Sequence, residues 1–335
     1  MDNDIVVGLD IGYSNLCMVF DSVLRPGETE TIAAPAGAGP ASLFPSRIHE
    51  VPAHANGNLL RDGWRVNMGG EQWVAGVEPG MIQNHPRALH EDYTTTNEYQ
   101  ALLLGALSAT GATRVGMLVT GLPVSLYNSR RADLMRRLRG EHQINRFGGV
   151  VVDNVKVLPQ PLGSFFSSLL IGHNLDAAET GVALVVDIGF FSVDWVLVSE
   201  GRLLAESCGT SLLAMSQVLA EADKILRERH RRSVGIEHIE AAVREQRDHI
   251  HTGLEKVPLP ELLADAAAVI APKAVTEARR ALRAQRAPTL VLIAGGGASL
   301  FDPYIRDAFK DCAVVLADHP VTSNAHGFWL FGKHR

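Results

Sequence analysis

Apolar positions along this chain gather into short runs that stop on polar turns, and the spacing of those runs sets the predicted elements. Val6 to Ile11 is one such run, followed by Gly12-Tyr13-Ser14-Asn15 and a second run from Leu16 to Phe20. Short apolar runs bounded by Gly, Asp and Ser read as buried strands. The same order returns later. Leu184-Val185-Val186-Asp187-Ile188 leads into Gly189-Phe190-Phe191-Ser192, and Trp195 to Val198 forms the second strand. Each copy carries Asp-Ile-Gly at the end of its first strand. Arg114 to Thr120 and Thr289 to Ala294 are further strand-like runs.

Helical periodicity fills the intervals. The pattern predicts an amphipathic helix over Glu98 to Thr110, a basic helix over Arg130 to Arg139 and an apolar helix over Phe165 to Ile171. Longer helices are predicted over Leu212 to Arg232, Ile236 to Ile250 and Leu259 to Arg286, with a last helix from about Ala325. Strands alternating with helices predict an α/β protein with parallel, doubly wound sheets. The repeat divides the chain into halves at 1–159 and 160–319. Residues from about 28 to 90, rich in Gly and Pro, read as one inserted subdomain, and about 221 to 263 as another.

The residue types of the repeat suggest phosphate chemistry. Glycine lets backbone approach an anion closely, and successive N–H groups in a tight turn form a concave nest for phosphate oxygens. A carboxylate at the strand end repels phosphate unless a cation lies between them. Asp10 and Asp187 therefore read as partners of Mg²⁺, directly or through its waters. One Asp-x-Gly alone is more simply a hairpin turn; two near-identical copies favour the phosphate reading. After the strand ending at Ala294 comes Gly295-Gly296-Gly297-Ala298-Ser299, and Asp302-Pro303-Tyr304 reads as the opening of a helix. A glycine run in that place can lie flat against a nucleotide.

These three motifs resemble the phosphate 1, phosphate 2 and adenosine motifs of the actin–hexokinase–chaperone ATPase superfamily. Within it, the chain looks most like the ParM/StbA family of plasmid-segregation actins, or a StbA-like component of the mobile-element gene sets called PRTRC. Phe44-Pro45-Ser46-Arg47, Asp92-Tyr93-Thr94 through Leu104, Thr120-Gly121-Leu122-Pro123-Val124-Ser125 and Asn324-Ala325-His326-Gly327-Phe328 carry the subgroup resemblance. It implies an actin-like (ribonuclease-H-like) duplicated two-domain fold with a nucleotide cleft between the domains. It also implies that a C-terminal helix, about 320–335, returns to the first domain. ATP with Mg²⁺ would bind through Gly12, Tyr13, Ser14, Asn15, Gly189, Phe190, Phe191, Ser192, Gly295, Gly296, Gly297 and Ala298. In relatives the first interdomain connection carries Glu or Gln, and here that position is Gln160. A carboxamide can orient an attacking water as glutamine does in GTPases, with Asp187 completing the metal network. Two departures stand out. Cys17 occupies the place where actins and ParM carry a lysine, and Phe191 stands where relatives place a polar or basic residue.

Composition is consistent with this reading. The chain has 335 residues, 46% hydrophobic and 20% charged, enough for two domains with substantial cores. A net charge of −6 argues against a nucleic-acid-coating protein. Cys17, Cys208 and Cys312 are widely spaced and odd in number, which argues against a disulfide framework. The acidic start and its short apolar stretch predict neither a signal peptide nor a membrane span, hence a cytoplasmic protein. Gly327 to Lys333 fits most of a P-loop, but His334 follows where Ser or Thr is required, so the match is accidental. The run Arg227 to Arg232 reads as a solvated helix end. His249 and His251, two apart in a predicted helix, fall on different faces and are assigned no metal. The resemblance implies a filament homopolymer that hydrolyses ATP and moves DNA through a DNA-binding adaptor of ParR type, without binding nucleic acid directly. A non-polymerising nucleotide switch and a small-molecule kinase of the same fold are the alternatives.

Overall fold

The computed structural model describes residues 5–44, 63–82, 90–146, 148–171, 181–253, 255–282 and 287–334. It divides into two compact units, Met1–Leu122 with Leu126–Ser167 and Asn324–Arg335, and Pro123–Ser125 with Ser168–Ser323. Pro45, Ser46 and Arg47 of the subgroup resemblance, and Arg286 of a predicted helix, lie outside the described residues.

In the first unit, β1 (Ile5–Ile11) turns into β2 (Asn15–Asp21), and β3 (Thr29–Pro35) pairs antiparallel with β2. β4 (Gly37–Pro40), β5 (Trp64–Met68) and β6 (Glu71–Val77) form a separate three-stranded sheet in the order β4-β6-β5. The main sheet therefore takes in Thr29–Pro35, which the sequence reading gave to the insert. Helix α1 (Asn97–Ala109) follows, its first turn capped by the Thr96 hydroxyl, which accepts from the Tyr99 N–H at 3.2 Å. Tyr99, Leu102, Leu103 and Leu107 bury its apolar side in the core of this unit. β7 (Arg114–Leu122), α2 (Val124–Leu138), β8 (Gly140–Asn145), β9 (Gly148–Pro159) and α3 (Pro161–Ile171) complete the run. The main sheet has the order β3-β2-β1-β7-β9-β8, with β1, β7 and β9 parallel.

The second unit repeats this plan. β10 (Val182–Ile188) turns into β11 (Val193–Ser199), then come β12 (Arg202–Leu203) and β13 (Gly209–Ser211). Helices α4 (Met215–His230) and α5 (Ile236–Arg244), the hairpin β14 (His249–Thr252) and β15 (Glu255–Pro258), and α6 (Leu259–Ala281) follow. β16 (Leu290–Ala294), α7 (Ala298–Ala308) and β17 (Ala313–Leu316) end the unit. Its sheet has the order β12-β11-β10-β16-β17, with β13 beside β11. β10 is buried along its whole length, as expected of a strand covered on both faces.

Four expectations change. Neither main sheet is wholly parallel, because a four-residue turn can join only antiparallel neighbours whereas parallel pairing needs a crossover. The segment predicted as helix from Ile236 to Ile250 ends at Arg244. Gln246 adopts a left-handed φ of 54°, and Ile250 belongs to β14, where burial alternates with period two. Helix α7 starts at Ala298, directly after the glycines, so Pro303 lies inside it rather than at its opening. The helix predicted from Leu212 likewise starts later, at Met215, after the short strand β13.

The last helix, α8 (Ser323–Lys333), packs on the first unit through glycines. A methyl group on Gly8 of β1 would overlap the Ala325 carbonyl and the Trp329 N–H, and one on Gly327 would overlap the Gly163 carbonyl of α3. Backbone thus meets backbone at two points. Asp21 holds the far end, accepting from Val6 N at 2.9 Å, Trp329 Nε1 at 3.1 Å and Lys333 Nζ at 3.1 Å. The P-loop-like run lies within this helix, as its accidental reading requires. Gly327→Ala is expected to lower the unfolding free energy by about 1–3 kcal/mol through overpacking, read from the denaturant midpoint. An unchanged midpoint would mean that α8 is not packed this closely.

Candidate functional site

The two Asp-Ile-Gly turns close with one and the same hydrogen bond. Gly12 N–H donates to the Asn15 carbonyl at 2.9 Å, and Gly189 N–H donates to the Ser192 carbonyl at 2.9 Å. Both glycines are needed for close approach: an added Cβ would lie 3.2 Å from the Asn15 oxygen and 2.9 Å from the Ser192 oxygen. Register makes the copies equivalent residue by residue. Asp10 pairs with Cys17 across the first hairpin, and Asp187 pairs with Asp194 across the second.

In the first unit, Asp10 gathers residues from three parts of the chain. Its Oδ1 accepts from Gln160 Nε2 at 2.9 Å, and its Oδ2 accepts from Asn324 Nδ2 at 3.3 Å. Gln160 sits between β9 and α3, its backbone N–H bonded to the Leu122 carbonyl at 2.9 Å. Gly121 makes room for it, since a Cβ there would come within 2.7 Å of Gln160 Cγ. Asn324 is fixed in turn, its Oδ1 accepting from Ser164 N at 3.0 Å and Ser164 Oγ at 2.6 Å. Asn324 belongs to a segment of the subgroup resemblance without a predicted part in the site, and its separation of 314 residues from Asp10 hides the contact. Tyr13 stacks on Tyr93 with ring centroids 4.4 Å apart, and its hydroxyl donates to the His90 carbonyl at 2.7 Å. The carbonyl of Ser14 accepts from Ala36 N at 2.8 Å. Cys17 is fully buried, and burial, then the Asp10 charge, push its thiol far up, so it stays neutral.

In the second unit, the hairpin and the glycine-rich turn interlock. Gly295 adopts a φ of 87°, and a side chain there would strike Asp187 Oδ1 and the Ile188 carbonyl. Gly297 N–H donates to the Ile188 carbonyl at 3.0 Å, and Gly295 N–H donates to the Pro320 carbonyl at 2.9 Å. Helix α4 fixes the turn from its other side. Met215 N–H donates to the Gly189 carbonyl at 3.2 Å and Ser216 N–H to the Phe190 carbonyl at 2.8 Å. Asp187 and Phe190 are buried, Gly296 is exposed, and Ala298 is the buried first residue of α7. Phe191 is partly buried.

Asp194, the counterpart of Cys17, is a second residue that the sequence reading left without a role. It is 3% exposed and accepts from Ser192 Oγ at 2.6 Å, Thr210 Oγ1 at 2.6 Å and Val124 N at 2.8 Å. Burial raises its pKa despite those three donors. The predicted site residues thus fall into two sets: Asp10, Gly12 to Asn15 and Gln160 in the first unit, and Asp187, Gly189 to Ser192 and Gly295 to Ala298 in the second.

Two sheets of matching plan, each turning a glycine hairpin behind a carboxylate, define the actin-like two-domain α/β class. Residues 8–163 match the family model for the N-terminal domain of actin-like proteins, and residues 185–307 that for the C-terminal domain of the archaeal actin homologue MreB-like group. The two models, which match separate parts of the chain, both describe domains of actin-like proteins. No curated protein matches it. Its fold is shared with solved structures over 99% of this chain and 100% of theirs. They include the pCBH ParM non-polymerisable quadruple mutant, 18% identical with a TM-score of 0.76. A 15-stranded ParM filament from Clostridium botulinum is 17% identical, TM-score 0.75. The ADP complex of the archaeal actin homologue Ta0583 is 14% identical, TM-score 0.75.

The raised pKa of Asp194 has a signed consequence. Its contribution to stability is full below the unfolded-state pKa and is lost as pH rises through the folded-state value. Asp194→Asn is therefore expected to flatten the fall of stability from the ordinary carboxylate range upward, measured by denaturation across pH. Asp194→Ala, which strips Val124 N–H and two hydroxyls of their acceptor, is expected to cost about 1–3 kcal/mol at neutral pH. A steeper pH dependence in Asp194→Asn would contradict the assignment.

Proposed function

We propose that this chain is an actin-like ATPase of ParM/StbA type that binds ATP with Mg²⁺, assembles head to tail into filaments and disassembles after hydrolysis. The observation that carries the reading is the duplicated turn, closed by the same hydrogen bond behind equivalent carboxylates in both units. A duplicated pair suits a ligand with a chain of phosphates, which one turn alone could hold only at one end. The ADP complex of Ta0583 and the ParM filament support nucleotide use and self-assembly as properties of this fold.

The donor set fits Mg²⁺, which takes one or two carboxylates and fills its remaining positions with water and phosphate oxygens. Among the described residues no cluster of three or more His, Cys, Asp and Glu could cage an ion. Asp10 and Asp187 would hold the ion directly or through its waters, and it would neutralise charge on the terminal phosphates. The turns at Gly12 to Asn15 and Gly189 to Ser192 would bind phosphate through backbone, because neutral Cys17 provides no cation. The Gly295 to Ala298 turn would take the nucleoside end. With Nε2 of Gln160 committed to Asp10, its Oε1 is the atom that would orient the attacking water.

Head-to-tail contacts are heterologous and propagate into filaments, and loss of the terminal phosphate would loosen the assembled state. The work done is movement of a plasmid or other mobile DNA in the cytoplasm, with DNA contact left to an adaptor of ParR type. Among the described residues no helix is long and apolar enough to cross a membrane.

Phosphate-release assays and nucleotide titration test the site. Asp187→Ala is expected to lower Mg²⁺-dependent turnover by about a hundredfold or more, and retention of wild-type turnover would remove its role. Gln160→Ala is expected to lower turnover about a hundredfold with nucleotide affinity largely kept. An equal loss of affinity would make Gln160 a structural residue.

A further inference from the structure

The hairpin β14–β15 brings two imidazoles together that the sequence reading had kept apart. Residues two apart on a strand point to the same face, so His249 and His251 stand side by side. Their rings meet edge to face with centroids 4.9 Å apart, and their Nε2 atoms are 3.2 Å from each other. Two Zn–N bonds of about 2.0–2.1 Å at the tetrahedral angle place their nitrogens about 3.3 Å apart, so the pair already has the bite of a chelate. Asp248 sets the tautomer. Its carboxylate is hydrogen-bonded to His249 Nδ1. With the proton on Nδ1, Nε2 of His249 is an acceptor that shares a hydrogen bond with His251 Nε2 in the free chain, and a bound ion would replace that bond; a carboxylate on the far ring nitrogen is the arrangement that orients metal-bound histidines.

We propose that His249 and His251 form a two-imidazole site for a divalent transition-metal ion of the zinc class, with Asp248 as its positioning carboxylate. Imidazole nitrogen suits Zn²⁺ and disfavours Mg²⁺, which demands oxygen. The site is therefore chemically separate from Asp10 and Asp187. His251 is exposed and His249 partly so, which leaves the remaining coordination positions to water. Lys256 stands opposite His251 across the hairpin, and its charge opposes that of the metal. The carboxylate of Asp248, hydrogen-bonded to His249, offsets it. With two protein ligands in place of four, the site is a regulatory or assembly site rather than a folding staple.

Calorimetric titration of the full chain with Zn²⁺, in saturating Mg²⁺ to occupy oxygen sites, tests the proposal. One Zn²⁺ per chain is expected, with affinity at least about tenfold weaker in His249→Ala and in His251→Ala. Asp248→Asn, which leaves both ligands in place, is expected to weaken binding by about tenfold. Unfolding midpoints without metal check that the variants fold. No Zn²⁺ uptake by the wild type at millimolar metal overturns the site. So does wild-type affinity in either histidine variant, because a chelate needs both rings.

Discussion

The carboxylate of Asp10 is the point on which the first unit depends. One oxygen is bonded by Gln160, at the junction of β9 and α3, and the other by Asn324, at the start of α8. The carboxylate lies one residue before the end of β1, its donors come from segments 150 and 314 residues away, and the next turn of chain is the glycine hairpin. An ionised carboxylate is a strong acceptor, and hydrogen bonds to it are worth more than neutral ones. Its orientation is therefore set by the fold before any ligand arrives, which is what preorganised sites require.

Glycine provides the second constraint. Gly8, Gly163 and Gly327 let α8 lie against β1 and α3 at backbone contact, and that approach delivers Asn324 to Asp10. In the second unit, Gly295 and Gly297 do the corresponding work, seating the turn after β16 against Asp187 and Ile188. The same residue type thus serves packing in one unit and the seating of the glycine-rich turn in the other, in both cases because a Cβ would collide. Gly121 belongs with them, since its missing side chain is the space that Gln160 occupies.

Much of this was legible in the sequence. The duplicated Asp-Ile-Gly turns, the strand before the glycine run and the apolar α1 all follow from local patterns of apolar residues and turn chemistry. What escaped was non-local or depended on a period. Asn324 gave no local signal because its partners lie far along the chain, and Asp194 gave none because two of its three donors, Thr210 and Val124, come from other elements. Ile236 to Ile250 looked helical because apolar spacing there is short and ambiguous, and the left-handed Gln246 that stops the helix carries no sequence mark. That one misreading of period put His249 and His251 on opposite faces. The basic helix from Val124 was found only in its charged latter part, since its start is held by Asp194 and Thr210 rather than by a local cap.

On the proposed reading, nucleotide held at the twin hairpins drives assembly of this chain. Sedimentation with electron microscopy, comparing ATP, a non-hydrolysable ATP analogue and ADP in the presence of Mg²⁺, tests it most directly. Filaments are expected with both triphosphates, lasting with the analogue and fading as ATP is consumed. Absence of polymer in every state, with nucleotide binding confirmed, would contradict it.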